Sequence, residues 1–139
     1  MVQGTITQRV LEIGEDPTGL ARLCWTKLRG SSGTVVRIVS IYVPVNNRGN
    51  DSVAGQHRRY YNSKQIPGDV IDLLFDDLQE ELTKWHDAGD QIIVAGDFNS
   101  DIRSDNLCEF FAEFGMYEAI TSMHEITPET YKRNTQTRR

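Results

Sequence analysis

Cysteine is scarce in this sequence: Cys24 and Cys108 are the two among 139 residues. Two are too few for a disulfide framework, and the expectation is a pair of buried thiols in a reducing compartment. There is no Cys-x-x-Cys and the three histidines are scattered, which argues against structural zinc. Long apolar runs are missing as well. None approaches the roughly 20 residues that span a bilayer, so no membrane partner is expected. Met1-Val2-Gln3-Gly4 shows no basic stretch leading into an apolar one, so no secretory signal is read there. The expected location is intracellular, in cytoplasm or nucleus. Repeats and low-complexity tracts are absent. So is a surplus of positive charge: the net charge is −5, which does not by itself announce a nucleic-acid partner. The acids are concentrated, however. Residues 69–90 hold eight of them with one base, Lys84, so that segment is −7 and the remainder +2. The ordinary meaning of such a run is a solvated helix face.

What is present is a 38% hydrophobic, 25% charged chain, long enough for one domain or part of one. Thr5 to Ile13 reads as either a short helix or a strand. Asp16-Pro17-Thr18-Gly19 is a turn signal. Leu20 to Leu28 reads as a strand, Gly30-Ser31-Ser32-Gly33 as a turn, and Thr34 to Val43 as the strongest strand of the first half; together they suggest an antiparallel hairpin. Apolar residues fall on both faces of 34–43, as in a strand covered on both sides. Residues 44–66 form a polar loop with room for a short helix. They include Arg58, Arg59, Tyr60, Tyr61 and Lys64, a basic and aromatic make-up suited to phosphate charge and base stacking, or simply to a solvated loop. Ile71, Leu74, Phe75, Leu78, Leu82 and Trp85 lie at helical spacing and predict a helix over 69–87. Gln91 to Ala95 is a further strand. Ser104 reads as an N-cap for a helix lined by Leu107, Phe110, Phe111 and Phe114 and stopped by Gly115.

Strand 34–43, helix 69–87 and strand 91–96 make a β–α–β unit with parallel strands and a right-handed crossover. Both strands then end at one edge, the first in Tyr42-Val43-Pro44, the second in Gly96-Asp97-Phe98-Asn99. Ligands of open α/β sheets bind at such an edge. A phenol, a carboxylate and a carboxamide converging there suit phosphodiester hydrolysis. The carboxylate takes a proton from water or binds a cation, and the other two donate to a phosphoryl oxygen as charge builds on it. Gly, Asp and Asn are equally ordinary turn formers, and a tyrosine there can simply pack at a core edge.

Ile41-Tyr42-Val43-Pro44, followed some fifty residues later by Ile93-Val94-Ala95-Gly96-Asp97-Phe98-Asn99, resembles the endonuclease/exonuclease/phosphatase superfamily with its DNase I-like fold, over residues 20–131. The stretch 13–20 with Trp25 and Arg37-Ile38-Val39-Ser40 resembles endonuclease domains of mobile elements. The resemblance implies an α/β fold that is part of a four-layer sandwich, truncated at both ends. It implies Mg²⁺ as cofactor and nucleic acid as the partner of the full-length protein. Asp97 matches the aspartate that orients or deprotonates the attacking water, Asn99 the amide that positions it, and Tyr42 the tyrosine on the scissile phosphate. Arg58, Arg59 and Arg103 are candidates for substrate contact, although Asp101, Arg103 and Asp105 read first as surface loop charges.

The sequence departs from the family in two places. No early metal-binding Glu is recognisable, since Glu12 and Glu15 precede a turn. No Ser-Asp-His follows; the histidines come after Gln56, Trp85 and Met123. The metal ligands are therefore unassigned. Thr130-Tyr131 resembles the segment ahead of the family's late Asp, so the gene is expected to continue past Arg139. The resulting expectation is a fragment of a Mg²⁺-dependent phosphodiesterase, an endonuclease cleaving DNA, inactive alone. The alternatives are a non-catalytic degenerate fragment or binding module, and a sugar- or lipid-phosphate phosphatase.

Overall fold

A computed structural model describes residues 4–46 and 49–123 of the 139. The chain forms two compact units, 1–101 and 102–139. The first is an α/β unit built on one mixed sheet in the order β1-β2-β3-β4. Its strands are β1 (Val10–Glu15), β2 (Leu23–Arg29), β3 (Val35–Tyr42) and β4 (Gln91–Asp97). β1, β2 and β3 run antiparallel in turn, and β3 pairs with β4 in parallel. The ambiguous start resolves into both options, a 3-10 turn over Gly4–Arg9 followed by β1.

Two helices separate β3 from β4. α1 (Val53–Ser63) is the helix for which the polar loop had room. Ser52 caps it, its side chain accepting from the Gly55 N–H. α2 (Val70–Asp87) begins at Asp69, whose carboxylate accepts from the Ile71 N–H at 2.9 Å. Gly89 follows it in the left-handed conformation, φ +75°, where a glycine pays no Cβ penalty. The predicted stripe is the buried one: Leu74, Leu78, Leu82 and Trp85 are buried, and Val70 joins them.

The helix layer covers one face of the sheet. Alternation along β3 puts Arg37, Val39 and Ile41 on the buried side and Ile38, Ser40 and Tyr42 on the other. Arg37 fixes which side the helices take. Its guanidinium lies between Trp25 of β2, 4.2 Å from the ring centre, and Trp85 of α2, at 4.6 Å. It also donates to Asp90 through Nε and Nη2 at 3.0 and 2.7 Å. The other face is open. Ile13, Thr26, Ile38 and Ile93 form one row across all four strands. Within it Ile13 is 72% exposed, Ile93 53% and Ile38 41%. Strand 34–43 was expected to be covered on both sides; within this unit it is covered on one.

A second polar feature lies behind the helices' packing. Asp16 and Arg22 flank the β1–β2 turn, both fully buried. The Asp16 carboxylate accepts from Arg22 Nε at 2.7 Å, Arg22 Nη2 at 2.9 Å and the Arg22 backbone at 3.0 Å. It also takes the Thr18 backbone and hydroxyl at 2.9 and 2.6 Å. Arg22 reaches on to Tyr61 of α1 at 2.5 Å and Asp77 of α2 at 2.6 Å. One guanidinium thus ties the turn to both helices. Asp77 and Asp90 belong to the acidic run that was read as a solvated face. Each instead neutralises a buried arginine, because a charge removed from water needs a partner.

In the second unit α3 (Asp105–Ala112) and α4 (Ala119–Met123) are described. Ser104 is the N-cap of α3 by position, without a side-chain cap bond. Phe110 packs edge-on against Phe111 and Phe114 at 5.1 and 6.0 Å, and Gly115 has φ +66°. Both cysteines are exposed, which corrects the expectation of buried thiols. Cys24 shares the open face with its neighbour Ser40 in register. No helix among the described residues is long and apolar enough to cross a membrane.

Candidate functional site

The parallel register brings Tyr42 and Asp97 side by side as the last pair of β3 and β4, with strands about 4.8 Å apart. Gly96 makes this approach possible. A Cβ there would stand 1.8 Å from the Ile41 carbonyl oxygen, so no other residue fits without moving β3. The pair also continues the alternation of β3, which puts it on the open face and not under the helices.

Beyond Asp97 the chain turns sharply. Asp97 Oδ1 accepts from the Asn99 backbone N–H at 3.0 Å, an Asx-type turn, and Asn99 sits at φ +47°, a region that asparagine tolerates better than most residues. Phe98, between them, is buried and anchors the turn. Asn99 Nδ2 donates to the Val43 carbonyl at 2.8 Å, and the Val43 N–H donates to the Asp97 carbonyl at 2.8 Å. The two bonds to and from Val43 lock the ends of the strands together, and the Asn99 N–H bond closes the turn. They leave Asp97 Oδ2, the Tyr42 hydroxyl and the second Asn99 amide N–H without a partner among the described residues. All three residues are exposed. The edge thus presents an acceptor and two donors, already oriented, to solvent.

The other candidates come from other parts of the chain. Arg58 and Arg59 lie on α1, which packs on α2 through Ala54, Tyr61 and Val70. Arg59 donates through Nη1 to the Asn50 carbonyl and so fastens the loop before the helix. Arg58 is half-buried and has partners of its own. Arg103 belongs to the second unit. Thr130-Tyr131 lie outside the described residues. No group of three or more His, Cys, Asp or Glu side chains suited to a metal is found among the described residues.

Sequence reading missed the buried cluster of Asp16, Arg22, His57, Tyr61 and Asp77. His57 is buried on α1; its ring hydrogen-bonds the Leu20 backbone, while Nδ1 has no partner among the described residues. Burial, then the nearby Arg22 charge, push its pKa below the usual 6.5. For Asp16, burial pulls the pKa up, but the hydrogen bonds from Arg22 and Thr18 outweigh it and hold the carboxyl well below the usual carboxylate range. The only hint in the sequence was a Pro-Gly turn bracketed by an acid and a base. The partners from 57, 61 and 77 carry no local signal.

No family model, no curated protein and no solved structure matches this chain.

Proposed function

We propose that the Tyr42–Asp97–Asn99 edge is part of the site of a Mg²⁺-dependent phosphodiesterase of the DNase I-like class, acting on nucleic acid as an endonuclease. The observation that carries this reading is the register pairing of Tyr42 with Asp97 on an exposed sheet edge, with Oδ2 and the phenol both unengaged among the described residues. Asp97 Oδ2 accepts a proton from a water attacking phosphorus, the bridging P–O bond opposite the water breaks, and the leaving sugar oxygen takes its proton from solvent. The Tyr42 hydroxyl and the second Asn99 N–H donate to a non-bridging oxygen, where charge grows most in the transition state. The Asx turn fixes the carboxylate before substrate arrives, which reduces the ordering left to be done on binding.

Mg²⁺, when bound, neutralises charge on the phosphoryl oxygens, and it is usually held through one or two carboxylates together with substrate oxygens. With Oδ1 used in the turn, Asp97 keeps one oxygen and serves one task, proton acceptor or cation ligand. The other task needs a further ligand, and no group of three or more His, Cys, Asp or Glu side chains suited to a metal is found among the described residues. The donor set is incomplete for the metal, and the isolated chain is expected to hydrolyse DNA at background rate.

A second reading is favoured by the same bonds. Asp97 Oδ1 and Asn99 Nδ2 are both engaged in closing the strand ends, which is what a non-catalytic module of this fold would also need. Backbone NMR with a phosphorothioate oligonucleotide and Mg²⁺ separates the two. The nuclease reading expects shifts at 42–43 and 96–99 that disappear in Asp97→Asn. Shifts confined to other residues, or none, would leave the structural turn as the whole role of these side chains. Robust plasmid cleavage by this chain, lost in Asp97→Ala, would overturn the expectation of inactivity alone.

A further inference from the structure

The end of the sheet opposite Tyr42 and Asp97 holds an open cleft of about 700 Å³. It lies between the N-terminal 3-10 turn, residues 4–9, and the β2–β3 turn, and its polar lining is Thr5, Gln8, Arg9, Arg29 and Ser31. Every one of these side chains carries a hydrogen-bond donor, and no carboxylate lines the cleft. Arg9 and Arg29 are exposed, and neither makes a hydrogen bond or ion pair among the described residues. The two other arginines of this sheet region, Arg22 and Arg37, are each matched by carboxylates. Two unmatched guanidinium forks with hydroxyl and amide donors beside them fit an oxyanion with several equivalent acceptors. Guanidinium bonds phosphate in bidentate fashion and more strongly than a neutral donor would.

We propose that the cleft lined by Arg9 and Arg29 binds phosphate groups. It is remote from the Tyr42–Asp97 edge. Arg29 pairs with Val35, the first residue of β3, and Tyr42 is the last, so the separation along the strand is about 23 Å at ~3.3 Å per residue. The site stands on the cleft alone and does not depend on hydrolysis at Asp97.

The test follows the arginine Nε–Hε signals of the whole chain during titration with sodium phosphate, sodium pyrophosphate and an oligothymidylate, against sodium chloride at equal ionic strength. Saturable shifts of Arg9 and Arg29, larger than those of Arg22 and Arg37, are the expected result. Arg9→Gln with Arg29→Gln should weaken binding by about tenfold or more. Lys64→Gln with Lys84→Gln, which removes the same charge elsewhere, should not. Tighter binding of oligothymidylate than of pyrophosphate would identify the phosphates as those of a nucleic-acid strand. The reverse order would identify a small phosphorylated compound, with the site intact in either case. Shifts reproduced by sodium chloride, or an affinity unchanged in the double arginine variant, would overturn the proposal.

Discussion

The two faces of the sheet contrast sharply in what covers them. On the helix side Val39, Leu74, Leu78 and Leu82 are sealed from water, and each buried charge there has a counter-charge. On the open side three isoleucines stand in a row with no layer over them in the described unit. The same strands make both faces, so strand propensity cannot explain the contrast. What differs is the presence of a helix layer, and with it the number of contacts that a substitution can break. The candidate site lies at the rim of the open face, where side chains stay accessible while the other face holds the backbone still.

The largest effect should come from removing one half of the Asp16–Arg22 pair, whose side chains are 1% and 0% exposed. Leaving a buried guanidinium without its carboxylate costs about 3–5 kcal/mol. Asp16→Ala should therefore lose most of its stability in urea unfolding, and a loss under 1 kcal/mol would show that Asp77 and Tyr61 suffice. Next, Leu78→Ala on the helix side should cost roughly 2–5 kcal/mol, whereas Ile93→Ala on the open face should cost under about 1 kcal/mol, as surface changes do. Equal losses at the two positions would mean that the open face is covered in solution.

The third effect is pH-dependent. His57 is held below its usual 6.5, so below that pH the unfolded chain binds the proton first and stability falls with pH. Asp16 is depressed below its usual 3.8. Its contribution is full above that value and is lost as the pH falls through and beneath it. Acid destabilisation should thus come in two stages. His57→Gln should flatten the first, which sets in as the pH drops below 6.5, and leave the second; calorimetry across pH would read both. A last, modest effect is at the cap of α2, where Asp69→Ala should cost about 0.5–2 kcal/mol. A change outside that range would show that Asp69 does more than cap.

The parts of this fold that were readable were those whose causes are local. α2 announced itself because its six apolar residues recur at helical spacing, and β3 and β4 because their apolar runs are bounded by turn residues. The parallel edge followed from that order, and with it the meeting of Tyr42 and Asp97. α1 was indistinct because it buries Ala54, Gly55, His57 and Tyr61 within a polar stretch, a pattern with no apolar stripe. The charged cluster was hidden because Arg22 and Asp77 are 55 residues apart, and no spacing rule connects them. The open face misled because Ile38 and Ile93 look the same in sequence whether or not something lies over them. Cys24 misled for a similar reason, since cysteine is so often buried that its place on the open side had no signal.

The Trp25–Arg37–Trp85 stack has an optical consequence. The chain has two tryptophans, and both flank one guanidinium with their rings 5.7 Å apart. Indole emission from the entire protein thus originates at a single spot where β2, β3 and α2 meet. A fluorescence melt registers the undocking of that helix from the sheet. It is blind to α3 and α4, which hold no indole. Ellipticity at helical wavelengths includes the four α-helices of the described residues. If the two signals part company on heating, the gap between them measures how independently the second unit melts.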